Sequence, residues 1–147
     1  MIEIPASLYR YPDAQVSELV VKTVTSIEYR DANVDYRIEN DSLVFYCSDG
    51  SVYLMTHEQD CCEGVYIESI HGDLKDLVGV PLVMAEDISS ELENEPALEN
   101  YDESYTWTFY KFATIKGYVT IRWYGSSNGY YSESVDFKRI VDAPKEE

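Results

Sequence analysis

A chain of 147 residues, 45% of them hydrophobic and 14 of them tyrosine, has the size and composition of one packed domain spanning residues 1–147. That makeup excludes a disordered acidic tail and needs no disulfide or metal to supply a core. The formal net charge of -17, from 28 acidic against 11 basic residues, repels phosphate backbones and anionic membranes, so direct nucleic-acid binding and membrane association are disfavoured.

In chain order, Leu19 to Arg30 is β-branched and loosely alternating, which predicts a strand over most of that stretch. Leu43 to Cys47 and Ser51 to Met55 flank Ser48-Asp49-Gly50, and an Asp-Gly turn between two such runs predicts a hairpin. Val65 to Ile70 reads as a further strand. Gly72 and Gly79 then bracket Asp73 to Val78, whose acidic start predicts a helical turn or two. Ser104 to Thr114, Tyr118 to Tyr124 and Tyr130 to Val141 are three aromatic, β-branched runs and predict an antiparallel meander, with Asn128-Gly129 as its second hairpin turn. In the first of these, Tyr105, Trp107 and Phe109 share one face while Tyr110 and Phe112 take the other, which implies a bulge or burial on both sides. In the second, Val119, Ile121 and Trp123 share a face, leaving Tyr118, Thr120, Arg122 and Tyr124 opposite. The expected fold class is α+β: an antiparallel sheet of about six to seven strands with one or two short helices.

Acidic residues are bunched. Between Lys75 and Lys111 there is no basic residue, yet Asp76, Glu86, Asp87, Glu91, Glu93, Glu95, Glu99, Asp102 and Glu103 all fall there. Such a block is usually a solvated face or a loop. Asn94, Pro96 and Asn100 mark residues 91–103 as an exposed acidic connection between two ordered halves, and residues 142–147 read as a disordered tail. The sharper reading makes these nine carboxylates a surface for a basic partner, in the manner of a nucleic-acid mimic.

The densest chemistry lies in His57-Glu58-Gln59-Asp60-Cys61-Cys62-Glu63. His57-Glu58-x-x-Cys61 starts like a zinc-protease helix but lacks the second His. Adjacent cysteines on an extended chain point to opposite faces and chelate one ion poorly, so a structural zinc on His57, Cys61, Cys47 and His71 is a minor alternative to no metal and no cofactor. A cysteine nucleophile would need His57 or His71 as its base. The structural alternative is favoured: Cys61 or Cys62 as a small buried hydrophobe at a strand entry, with Asp60 or Glu63 capping the turn. A redox disulfide between the adjacent cysteines ranks lower still. A second constellation, Arg122, Trp123, Tyr124, Asn128 and Tyr130, sets a guanidinium and rings around a turn, where they could stack a base or hold an anion with His57 and Glu63 nearby, or simply pair across strands.

No basic segment followed by an apolar run opens the sequence, and no stretch approaches the roughly 18 apolar residues of a membrane span. Three cysteines, two of them adjacent, fit a reducing compartment and give no disulfide framework. There the Asn40-Asp41-Ser42 acceptor pattern carries no meaning.

Taken together, His57-x-Gln59-Asp60-Cys61-Cys62-Glu63, Gly72-Asp73-Leu74-x-Asp76-Leu77-Val78-Gly79, Ser104-Tyr105-Thr106-Trp107-Thr108-Phe109-Tyr110 and Arg122-Trp123-Tyr124-Gly125-x-Ser127-Asn128-Gly129-Tyr130-Tyr131 resemble a small family of uncharacterised bacteriophage and prophage proteins, from about Leu19 to Phe137. The resemblance implies a phage accessory protein in the cytoplasm of a bacterial host, with no transferable activity. With the charge block, it leads to a non-enzymatic protein that inhibits or redirects a basic host or anti-phage defence protein. A homodimer remains open. The alternatives are a small-ligand binder that sequesters a nucleotide-like signal, and a metal- or cysteine-dependent enzyme built on residues 57–63.

Overall fold

The computed structural model describes residues 2–5, 7–89 and 96–140. Among the described residues, eight strands form two four-stranded sheets: β1 (Val24–Arg30), β2 (Ser42–Cys47), β3 (Val52–Thr56) and β8 (Asp136–Arg139) in one, and β4 (Gly64–His71), β7 (Gly117–Ser127), β6 (Ser104–Thr114) and β5 (Met84–Ser89) in the other, each in that order. Every named strand pair is antiparallel. Helix among the described residues amounts to two 3₁₀ turns, Val16–Leu19 and Leu74–Leu77. The molecule is therefore β-rich rather than α+β.

The sheets pack face to face through the alternating positions of their strands. Leu43, Phe45, Tyr53 and Met55 of the first meet Val65, Ile67, Phe112, Val119, Ile121 and Trp123 of the second in one apolar core. Phe45 and Phe112 have ring centroids 5.6 Å apart, and the Trp123 indole N–H points at the Met55 sulfur at 3.3 Å. Both outer faces are partly covered as well. Val44 and Leu54, on the back of the first sheet, cluster with Ile2, Leu8 and Tyr11 from the amino-terminal segment. On the back of the second sheet, Trp107 donates to the Pro96 carbonyl at 2.9 Å and Tyr124 accepts from the Leu98 amide at 3.1 Å.

The predicted β2–β3 hairpin forms, with Gly50 at φ 88° supplying the left-handed turn that its lack of a Cβ permits. The alternation in β7 is as read, with Val119, Ile121 and Trp123 all facing the core. β6 pairs with β7 without a break from Ser104 to Thr114, so the parity change reflects burial on both sides and not a bulge.

Three expectations are corrected. The Leu19 to Arg30 strand begins only at Val24, because Val16–Leu19 turns as 3₁₀ and Val21 sits at φ 67°. The three-run meander is only a hairpin of β6 and β7. Its third run crosses over to pair with β3 in the other sheet, so Asn128-Gly129 is not a hairpin turn. β5, which the sequence reading passed over as part of the acidic block, is an edge strand of the second sheet.

Candidate functional site

The chain changes sheets twice at one corner. Residues 57–63 carry it from β3 to β4, and residues 128–135 carry it back from β7 to β8. His57 joins the two crossings: its Nδ1 lies 2.6 Å from the Ser134 carbonyl oxygen and its Nε2 lies 2.7 Å from Oε2 of Glu63. Both of its ring nitrogens thus face oxygen atoms of the two crossings. The two side chains are 1% and 0% exposed, making a buried hydrogen-bonded pair.

Glu63 is saturated with donors. Besides His57, it accepts from the amides of Asp60 and Cys61, each at 2.9 Å. Burial pushes its carboxyl up, but the His57 hydrogen bond together with the Cys61, Asp60 and Glu63 amides outweighs that and holds it at about 2. Gln59 closes the turn by donating to the Cys61 and Glu63 carbonyls at 3.2 and 2.7 Å. Nearby, Asn40 donates to the His57 carbonyl at 3.1 Å, and the Glu58 amide donates to Asp136 at 2.9 Å. The geometry is that of a clamp: His57 Nδ1 and both Glu63 carboxylate oxygens hold backbone, and His57 Nε2 joins the two side chains.

Cys61 and Cys62 are bonded to each other as a disulfide, and both are exposed. This corrects two expectations: neither cysteine is a small buried hydrophobe, and the chain does hold a disulfide. The four candidate zinc ligands are scattered. Cys47 is buried on β2, Cys61 is oxidised, His57 is committed as described, and His71 lies exposed beside Ser69 at the end of β4. No group of three or more His, Cys, Asp or Glu side chains disposed to hold a metal occurs among the described residues.

The proposed ligand set divides between faces. Trp123 points into the core, whereas Arg122 and Tyr124 lie on the outer face of the second sheet. The Arg122 guanidinium stacks over the rings of Trp107 and Phe109, 4.9 and 5.4 Å from their centroids, and its buried Nε has no hydrogen-bond partner among the described residues. The Tyr124 hydroxyl donates to Asp102 at 2.5 Å; burial first and that carboxylate second push it well above its ordinary range. Asn128 and Tyr130 belong to the second crossing: the Asn128 side chain accepts from the Tyr130 amide at 3.0 Å, and the Tyr130 ring is exposed. Cys62, Asn128 and Tyr131 do share a cavity of about 250 Å³ with Tyr101, Asp102 and Ser127, but Arg122 is not part of it.

The acidic residues are distributed as well. Asp76 sits beside Gly117 at the β6–β7 turn. Glu86 is the register partner of Lys111, and Asp87 that of Tyr110, so neighbours on β5 point to opposite sides of the sheet. Glu91, Glu93 and Glu95 lie outside the described residues, as do residues 142–147. Glu99 and Asp102 lie by Tyr66 on the outer face of the second sheet, and Glu103 borders the cavity that Cys62 and Asn128 share with Asp102. Burial raises the Tyr66 hydroxyl, and the charges of Asp102, Glu68 and Glu99 push it the same way.

Several residues that organise these sites went unread in the sequence. Asp41, buried, accepts from the amides of Ala32 at 2.8 Å and Ile67 at 2.9 Å, tying the two sheets together. Glu133 accepts from Thr106 at 2.8 Å and Ser127 at 2.5 Å, fastening the second crossing to the second sheet. Neither carries a motif. Trp107 and Phe109, which cradle Arg122, were placed on one face by their alternation on β6, and Phe109 is the register partner of Arg122 on β7.

Two antiparallel sheets joined at one corner by the buried His57–Glu63 contact, with an acidic, tyrosine-rich outer face, define a small β-sandwich. The chain belongs to the family described as a domain of unknown function (DUF7448), whose profile matches residues 17–137. No curated protein and no solved structure matches it.

Proposed function

We propose that this protein is a non-catalytic binding protein that docks a basic partner through the outer face of its second sheet, and that the partner is a bacterial host or anti-phage defence protein met in the cytoplasm. The observation that carries the reading is the convergence of Glu68, Glu99 and Asp102 on Tyr66, beside exposed Tyr101 and Tyr105. Rings supply contact area at small entropic cost, and carboxylates steer a cationic partner and fix its register. The net charge of -17 extends that steering beyond the face itself, as for a nucleic-acid mimic. No helix among the described residues is long and apolar enough to cross a membrane.

The test compares two charge reversals as bait in host lysate. Glu68→Lys/Glu99→Lys/Glu103→Lys alters the proposed face, and Glu3→Lys/Glu39→Lys alters exposed or half-exposed acids elsewhere. The expected result is a partner captured by the wild type and by the second variant, lost by the first, and released as salt rises from 0.1 to 1 M, where the Debye length falls from about 10 to about 3 Å. Equal loss in both variants, or capture indifferent to salt, counts against the reading.

One observation favours small-ligand sequestration instead: the stacked guanidinium of Arg122, whose Nε has no hydrogen-bond partner among the described residues. Mass spectrometry of molecules released on denaturing the purified protein separates the two readings.

A further inference from the structure

We propose that Cys61 and Cys62 form a reversible two-electron redox site, opened by a dithiol reductant, whose state sets how firmly the corner between the two sheets is held. The inference does not depend on the partner-docking reading.

Both cysteines are exposed, so either sulfur can be reached without unfolding, whereas Cys47 is buried and separate from the pair. Cys62 also borders the 250 Å³ cavity lined by Tyr101, Asp102, Ser127, Asn128 and Tyr131, which leaves room for an attacking thiol. The disulfide is wired into the clamp. The amide of Cys61 donates to Oε1 of Glu63 at 2.9 Å and its carbonyl accepts from Gln59, while Glu63 holds His57, which holds the Ser134 carbonyl. The bond closes a ring that includes the peptide unit between the two cysteines. Opening it frees backbone dihedrals on which the Cys61 amide depends for its hydrogen bond to Glu63.

The chemistry balances as ordinary thiol–disulfide exchange. A thiolate of the dithiol attacks one cysteine sulfur; the Sγ–Sγ bond breaks, a mixed disulfide forms, and the other cysteine leaves as a thiolate that takes up a proton. The second thiol of the reductant then attacks the mixed disulfide, releasing the first cysteine and closing the reductant into its own disulfide. Two electrons and two protons reach the protein. Asp60, Glu63, Asp102 and Glu103 make the surroundings electronegative, which disfavours cysteine thiolates and repels anionic thiols such as glutathione. The site therefore selects uncharged or cationic reductants.

The experiment uses the full chain, oxidised with 2-hydroxyethyl disulfide, titrated with dithiothreitol and read in parallel by alkylation mass spectrometry and amide hydrogen exchange. The expected result is loss of the Cys61–Cys62 bond in one two-electron step, with exchange at Asp60, Cys61 and the 128–135 crossing speeding up about tenfold over the same step. Glutathione at equal thiol concentration reduces the bond more slowly, and 1 M salt narrows the difference. A Cys61→Ser/Cys62→Ser variant reproduces the reduced exchange pattern and no longer answers to dithiothreitol. The proposal is overturned if both cysteines stay alkylatable after the oxidant, or if the bond opens with no change in exchange at those amides.

Discussion

Replacing His57 with alanine tests the clamp directly. The substitution removes the imidazole from a pair whose side chains are 1% and 0% exposed, and it leaves the Glu63 carboxylate buried with only backbone amides as its remaining donors. Breaking a buried pair from one side costs about 3–5 kcal/mol. Holding the carboxyl at about 2, against about 4.3 for an unperturbed glutamate, corresponds to about 3 kcal/mol of stability at neutral pH, which His57 shares with the Cys61, Asp60 and Glu63 amides. For a domain of this size that lowers the midpoint of thermal unfolding by roughly 6–20 °C. The sign with pH follows from the same numbers. Because the folded state holds Glu63 below its unfolded value, its contribution is complete above about pH 5 and drains away as pH falls towards 2. Urea unfolding of oxidised wild type and His57→Ala at pH 7 and pH 3 should therefore show a large gap that narrows in acid. The Glu63→Gln/His57→Gln double variant, lacking an uncompensated charge, recovers part of the loss. A His57→Ala cost below about 1 kcal/mol at pH 7, or a gap that does not narrow in acid, would refute the reasoning.

Three further outcomes follow from named contacts. Val21 is exposed and sits at φ 67°, where a β-branched residue is strained, so Val21→Gly should raise stability by about 1 kcal/mol in urea unfolding. A Cβ on Gly125 would lie 2.6 Å from the Glu133 carbonyl oxygen, so Gly125→Ala should push the second crossing away and cost about 2 kcal/mol or more; exchange at Ser127 to Ser134 should rise with it, and an unchanged midpoint would contradict the close approach. Trp107→Ala removes the indole that donates to Pro96 and supports Arg122, at a cost of about 3–5 kcal/mol, with residues 96–102 showing the earliest loss of protection.

Where local pattern and tertiary structure agree, the residues announced the outcome. Asp49-Gly50 between two apolar runs could hardly be anything but the β2–β3 turn, and the alternation of Val119, Ile121 and Trp123 showed which side of β7 is core. What stayed hidden was long-range. Nothing in Asp136-Phe137-Lys138-Arg139 says that it pairs with Tyr53 to Thr56 in the other sheet instead of with its neighbour β7, because any antiparallel edge can accept a short strand. β5 was obscured by Glu86 and Asp87, charges that an edge strand tolerates and a local reading takes for loop. At the corner, the sequence set His57 and Glu63 six positions apart and suggested a capping role for Glu63, but their contact depends on a turn whose backbone they themselves hold. The partner of His57 on its other side, Ser134, comes from a crossing that no spacing rule reaches.

The pairing of β3 with β8 has a temporal consequence. Tyr53 to Thr56 are made early in synthesis, yet the strand that covers their free edge, Asp136 to Arg139, emerges only after all of β4 to β7. On the ribosome the β2–β3 hairpin must wait with a row of unsatisfied amides and carbonyls beside Tyr53 and Met55, a template for any neighbouring nascent chain. Few of the native contacts that close the first sheet are local, so folding should be slow for a chain of this length and sensitive to crowding by other unfinished copies. Dense negative charge opposes that association in the newborn chain, repelling such copies until β8 arrives.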